Sequence, residues 1–254
     1  MSLTPIEDAL RRIRRGEMVL VVDDEDRENE GDLTMAASWV TPEAINFMLR
    51  WARGLVCRPA APEVLDGLEL GPMVAPEHAG CDTAFTVSID HLEAGSGIGA
   101  ADRAHTIRRA IAHDAVPGEF KRPGHVFPLR AQSGGVLVRR GHTETAVDLA
   151  RLAGLPPVAV ICEVLDDDGS PARFEFLRRF ATDHRIAMVS VEQVVQYRLG
   201  PDTRDAGVSG TSGVSGTSGV SGARTSPDAS GAHDHRTSPD THPARDRAPA
   251  TLVL

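Results

Sequence analysis

The sequence predicts an α+β fold: one domain built on a mixed β-sheet flanked by helices, followed by a disordered C-terminal tail. Three observations carry this reading. Apolar runs of strand length alternate with helix-period segments, but in an irregular order rather than a strict strand–helix repeat. Hydrophobic residues make up 41% of the 254-residue chain, enough for a sizeable core. The composition then breaks near Gly200, where G-V-S-G-T-S begins to repeat from Gly207 and R-T-S-P-D occurs at Arg224 and again at Arg236. A segment so poor in large apolar side chains cannot offset its ordering entropy. The predicted boundaries are therefore a folded domain over 1–200 and a low-complexity tail over 201–254, with His233, His235 and His242 as incidental histidines in the tail.

The elements follow in order. Ile6, Ala9, Leu10 and Ile13 recur at helical spacing. Met18–Val22 is a bare apolar run and reads as a buried strand. The acidic stretch after it leaves the strand as a loop. Thr41-Pro42 opens a helix with a cap and a first-turn proline. Ala84–Ile89 and Val136–Val138 read as strands, and Ala101–Ala112 as a helix. Pro128 keeps its neighbourhood from being a regular central strand. Thr143–Ala153 is helical and is closed by Gly154 and Pro156-Pro157. Val158–Leu165 is a strand, 166–169 a turn, Phe174–Thr182 a helix, Ile186–Val191 a strand and Glu192–Tyr197 a last helix.

Several function classes drop out. A formal net charge of −9 argues against general nucleic-acid binding. Cys57, Cys81 and Cys162 are odd in number and lack C-x-x-C spacing, which fits neither a disulfide framework nor structural zinc. The cysteine usage points to the reducing cytosol. The N-terminus has no apolar signal core, and no stretch is long enough to span a membrane.

Four segments carry chemistry. Asp23–Asp32, D-D-E-D-R-E-N-E-G-D, packs seven carboxylates and Arg27 into ten residues. Like charges at that density are either a solvated surface or a site for a cation. A calcium loop starting at Asp26 fails, because its twelfth position falls on Ala37 where a glutamate is required. Arg139-Arg140-Gly141-His142-Thr143 leads into a helix N-terminus, a natural anion site. There Arg139 and the Thr143 hydroxyl either complete a phosphate pocket or do no more than face solvent and cap the helix. Strand alternation puts Glu163 on an otherwise apolar face with Ala159 and Ile161, which suits a proton-transfer group or a structural ion pair. His125, in R-P-G-H-V-F-P-L-R, can move protons near neutral pH or serve as a hydrogen-bonded structural histidine.

Together D-D-E-D-R-E-N-E-G-D, A-A-D-R-A-H-T-I, R-P-G-H-V-F-P-L-R-A, R-G-H-T-E-T-A-V-D-L-A-R-L-A-G-L and V-I-C-E-V resemble 3,4-dihydroxy-2-butanone 4-phosphate synthase, an enzyme of riboflavin biosynthesis. The resemblance runs from about Ile6 to Tyr197. It implies conversion of the sugar phosphate D-ribulose 5-phosphate to L-3,4-dihydroxybutan-2-one 4-phosphate and formate, in a cytoplasmic homodimer with active sites at the subunit interface. It implies magnesium, with manganese as the alternative, held by Glu28 and His142. Arg27, Asp32, Arg139, Arg140, Gly141 and Thr143 would bind substrate together with Glu28, His142 and Glu163. His125 and Glu163 would move protons, and Glu30 and Cys57 match family active-site positions. Gly95-Ser96-Gly97-Ile98-Gly99-Ala100 departs from a family T-T-G-I-S-A-like segment, losing one hydroxyl at Gly99. Nothing after Gly200 offers the cysteine zinc site of the GTP cyclohydrolase II domain that many relatives carry, which implies a single activity. The competing readings are another metal-dependent sugar-phosphate isomerase or aldolase, and a metal- or phosphate-binding module without turnover.

Overall fold

The first helix, α1 (Ile6–Arg14), buries Ile6, Ala9, Leu10 and Ile13, the stripe its spacing predicts. The structure is a computed structural model that describes residues 3–75, 78, 80 and 82–200. The tail expected over 201–254 and Cys81 lie outside the described residues.

Strand β1 (Val19–Val22) is buried throughout. It turns through the acidic loop into β2 (Gly31–Ala36), also wholly buried and antiparallel to it, with Val21 opposite Asp32. The acidic run is therefore not all loop: Gly31 and Asp32 already belong to a strand. Helix α2 (Pro42–Phe47) starts at Thr41, whose side chain accepts a hydrogen bond from the Ala44 N–H. It passes into a short π-helical turn, Met48–Ala52, which ends where Arg53 takes a left-handed φ of 70°. Then come β3 (Cys57–Ala60), α3 (Pro62–Gly67) and β4 (Ile89–His91). Helix α4 (Ala100–Arg109) is followed by β5 (Phe120–Arg130). The remaining elements are α5 (His142–Leu152), β6 (Ala159–Glu163), α6 (Phe174–Asp183), β7 (Ala187–Ser190) and α7 (Val191–Leu199).

Among the described residues the strands form a seven-stranded mixed sheet in the order β4-β5-β3-β6-β2-β1-β7. One face packs against α1, α5 and α7 through Val19, Val21, Leu149 and Val194. The other packs Leu20, Leu33, Met35 and Val160 against Ile45, Met48, Ile107 and Leu177 from α2, the π-turn, α4 and α6. Because β1, β2, β3 and β6 are covered on both faces, they show no polar–apolar alternation.

Three sequence readings are corrected. Val136–Val138 is not a strand: Gly135–Leu137 forms a 3₁₀ turn, entered through Gly134 and Gly135 at positive φ. The buried Asp148 carboxylate accepts the Val136 N–H and holds that turn closed. Ala84–Ile89 makes only isolated bridges at Phe85 and Thr86, and the laddered strand is Ile89–His91. Pro128 does not interrupt β5, which runs through it and pairs it with Arg58 in parallel. The Pro128 carbonyl faces Thr86, accepting its N–H. A residue's N and O point to the same side of a strand, so the missing N–H breaks no rung to β3.

Candidate active site

The register of β6 builds the floor of a cleft. Asp32 on β2 stands opposite Glu163 on β6, and Cys57 on β3 stands opposite Ile161. A cleft of about 240 Å³ opens there, lined by Arg27, Glu28, Glu30, Asp32, Cys57, Arg139, His142, Thr143 and Glu163. The sheet thus supplies carboxylates, the loop after β1 forms one wall, and the N-terminus of α5 forms the other.

Asp23 organises the loop. Its carboxylate accepts the Glu28 N–H at 3.1 Å and the Glu30 N–H at 2.8 Å, and it receives Arg27 Nη1 at 2.7 Å. Arg27 also forks onto Glu28, with Nη2 to Oε1 at 2.8 Å and Nη1 to Oε2 at 2.9 Å. Arg173, just before α6, donates to the Glu28 and Asn29 carbonyls and pins the loop backbone. Neither Asp23 nor Arg173 was assigned a role from sequence. Asp23 was one carboxylate among seven, and only the turn geometry singles it out.

Glu28 reaches across to the buried His142, with Oε2 3.7 Å from Nδ1. The adjacent His142 imidazole and Arg27 hold the Glu28 carboxyl down at about 2, against its partial burial. Burial by itself would lower His142, but Asp32, Glu28 and Asp23 outweigh it and raise the imidazole to about 9. Burial, reinforced by Glu163 and Glu30 and opposed by His142, pushes Asp32 up to about 7. Glu30 also lies above the usual carboxylate range, mainly through burial and then Glu28. The His142 position therefore calls for positive charge. Asp23, Glu28 and His142 each offer a ligand atom, all within 4.8 Å of one another. His142 Nε2 is buried without a hydrogen-bond partner among the described residues. One imidazole and two carboxylates gathered in this way fit a divalent cation.

Gly141, not Thr143, is the N-cap of α5. Thr143 sits in the first turn and lines the cleft, so its hydroxyl is not spent on capping. Arg139 Nη1 reaches the buried Glu144 carboxylate at 2.7 Å. A Cβ at Gly141 would collide with Arg139 Nη1, so glycine is what lets the guanidinium cross there. Glu163 Oε2 accepts the Leu55 N–H at 2.8 Å. Burial, followed by Glu163 and Asp32, drives the Cys57 thiol well above its ordinary range. At neutral pH Cys57 stays protonated and walls the cleft rather than acting as a thiolate.

Two predicted residues are not brought into this cleft. Arg140 turns away and pairs with Glu192 on α7 at 2.8 Å. His125 lies on β5, its Nδ1 2.7 Å from the Asp90 carboxylate and its N–H on the same group.

Comparison with known proteins places the chain in one family. The family model described as 3,4-dihydroxy-2-butanone 4-phosphate synthase matches residues 7–197. The chain is 54% identical over 201 residues to riboflavin biosynthesis protein RibBA of Aquifex aeolicus, covering 78% of this chain and 50% of that protein. It is 51% identical to a 3,4-dihydroxy-2-butanone 4-phosphate synthase of Agrobacterium fabrum, covering 79% of this chain and 94% of the relative. The chain thus spans about half the length of the first relative and nearly all of the second. Among solved structures, the two-domain synthase RibBX of A. baumannii aligns with a TM-score of 0.76 at 46% identity, covering 78% of this chain and 59% of that one. A 3,4-dihydroxy-2-butanone 4-phosphate synthase in complex with two magnesium ions aligns with a TM-score of 0.75 at 41% identity, covering 80% of this chain and all of that one. The chain belongs to the 3,4-dihydroxy-2-butanone 4-phosphate synthase family.

Proposed function

We propose that this chain converts D-ribulose 5-phosphate to L-3,4-dihydroxybutan-2-one 4-phosphate and formate, and so serves riboflavin biosynthesis, with residues 1–200 as the synthase domain. The observation that carries this is the convergence of the acidic loop, the Asp32–Glu163 pair and the α5 N-terminus on one small cleft. Substrate and products contain the same atoms, so the reaction needs proton relays and charge stabilisation rather than a redox partner.

The residues divide the work. Arg139 and the first-turn N–H groups of α5, beside Gly141 and Thr143, hold the phosphate dianion. Arg27 supplies a second cation at the loop wall. A magnesium or manganese ion held by Glu28 and His142 would polarise neighbouring oxygens of the sugar as they gain negative charge. Asp32, whose carboxyl burial raises above the usual carboxylate range, can hold or pass on a proton at the floor of the cleft. Glu163, fixed through Oε2 by the Leu55 N–H, lines the cleft and relays protons there. Glu30 lines the same wall. Arg140, held by Glu192, is left with a supporting role beside the helix terminus.

His125 belongs in this scheme to the site of a second copy of the chain. It is essential by motif, yet it does not line its own cleft, and its partly exposed ring is aimed by Asp90. A homodimer with shared sites accounts for both facts. Cys57 and Cys162 are buried free thiols, which suits a reducing cytoplasm. Among the described residues no helix is long and apolar enough to cross a membrane.

The test is incubation of the full chain with ribulose 5-phosphate and magnesium, with formate and the four-carbon product both measured. Chelator should abolish turnover, and magnesium or manganese should restore it. Conversion of the sugar without formate would replace this reading with an isomerase or aldolase. Full turnover after chelation would remove the metal from it.

A further inference from the structure

We infer that His91, Glu93 and His105 form a second metal site, for a transition-metal dication of the zinc class, at the β4–α4 edge of the sheet. None of the three lines the cleft described above. His91 ends β4, Glu93 follows in the turn, and His105 lies on α4. The His91 N–H donates to Thr106 Oγ1 at 3.0 Å, which ties the strand to the helix beneath both rings.

The ligand atoms are already gathered. His105 Nε2 lies 3.0 Å from His91 Nδ1, and a Glu93 carboxylate oxygen completes a group within 4.8 Å. Zinc binds imidazole nitrogen at ~2.0–2.1 Å, so two nitrogens on one tetrahedral ion stand about 3.3 Å apart. The observed pair needs almost no movement. The Glu93 N–H donates to His91 Nδ1 at 3.2 Å, which marks Nδ1 as the unprotonated nitrogen, and an ion would take its lone pair in place of that long hydrogen bond and of the proton shared with His105 Nε2. The His91 ring is buried and packed edge-on against His105 and Phe120. Its orientation is set before any ion arrives.

The charges are consistent with a cation. The Glu93 carboxylate has no hydrogen bond or ion pair among the described residues. Nearby cations are committed elsewhere: Arg109 to Asp114 and Glu119, and Lys121 Nζ to the Ala94 carbonyl. Two imidazoles and one carboxylate select zinc, nickel or cobalt over magnesium, which prefers oxygen.

The position suggests what the ion does. The Asp102 carboxylate holds the Gly95 and Gly97 N–H groups, so the segment after Glu93 is strapped to α4. Gly97 lies against the Asp90 carboxylate, and a Cβ there would come within 2.7 Å of His125 Nδ1. An ion on Glu93 fixes the entry to this segment and through it the surroundings of the His125–Asp90 pair.

The experiment is calorimetric zinc titration of the full chain in excess magnesium, run beside His105→Ala and Glu93→Gln. The parent should show one class of zinc site that His105→Ala lacks. Glu93→Gln should weaken that class by at least about tenfold, the lower end of what losing even an outer partner costs. Zinc-soaked parent crystals should give an anomalous peak between His91 Nδ1 and His105 Nε2. Equal zinc stoichiometry in the parent and in a folded His105→Ala overturns the site. Should His105→Ala fail to fold, unchanged zinc affinity in Glu93→Gln together with no anomalous peak overturns it equally.

Discussion

Gly54 offers the sharpest test of how Glu163 is held. A Cβ built on Gly54 would lie 2.6 Å from Glu163 Oε2 and 2.8 Å from the Glu163 nitrogen, and would collide with its carbonyl oxygen. Gly54 is not at positive φ, so alanine there carries no backbone penalty and the effect is purely steric. The Glu163 backbone cannot yield easily, because it is laddered to Asp32 in the middle of the sheet. The side chain and the 53–55 loop must therefore move. To reach the 3.4 Å of ordinary contact the carboxylate retreats by about 0.8 Å. It also loses register with the Leu55 N–H. A misplacement of about 1 Å in a catalytic constellation costs roughly 100-fold in rate. Overpacking should cost about 1–3 kcal/mol of stability. Formate release by Gly54→Ala should accordingly show kcat down by about 100-fold, with urea unfolding still cooperative. Gly67→Ala, with nothing within 4 Å of the added carbon, is the matched control. Parental kcat in Gly54→Ala would show that Glu163 can move freely and that its position does not govern the chemistry.

Other perturbations follow from the same geometry. Glu144→Gln swaps one acceptor for a donor under Arg139 and the Gln132 N–H. Both it and Arg139→Ala should raise KM for the sugar phosphate more than they lower kcat, and steady-state kinetics would read an unchanged KM as a misplaced phosphate pocket. Arg58 is fully buried, and among the described residues it bonds only through Nη2 to the Ala110 carbonyl, with Nε and Nη1 unpartnered. Burial pulls its guanidinium down to about 10, a penalty on the charged form of about 3 kcal/mol. Losing the hydrogen bond gives back about 1.5 kcal/mol. Arg58→Met should thus gain about 1.5 kcal/mol and raise Tm by roughly 3–6 °C. The parent's deficit is present below pH 10 and shrinks above it, where the folded chain gives up a proton that the unfolded chain keeps. A lowered Tm in calorimetry at neutral pH would show that the guanidinium is needed in place.

Every long helix and the two best-marked strands were legible because their signals are local, whereas the short α3 (Pro62–Gly67) was not read from the sequence. Thr41-Pro42 and the Ile6–Ile13 stripe each reduce to a few residues in a row. β2 was not legible, since Gly31–Ala36 is buried on both faces yet begins with glycine and aspartate. Its strand state comes from β1 and β6 on either side, not from its own pattern. Cys57–Ala60 was hidden for the same reason, with arginine and proline in a sheet-centre strand. The carboxylates, Arg139 and His142 could be picked out because their chemistry shows in residue type. The parts that hold them could not: Asp23 beneath the loop, Gly54 behind Glu163 and Arg173 across it act through geometry alone.

The sheet order also constrains how the molecule can be made. β1 is made long before its outer partner β7, and β3 waits for both β5 and β6. Until β7 docks, the apolar run Val19–Val22 presents one bare hydrogen-bonding edge to any other chain. Pairings this distant in sequence close slowly. Diluted from denaturant, the chain should partition between native protein and aggregate according to its concentration, with β1 as the sticky surface. Yield on refolding, more than equilibrium stability, is where a lesion in β7 would be felt first.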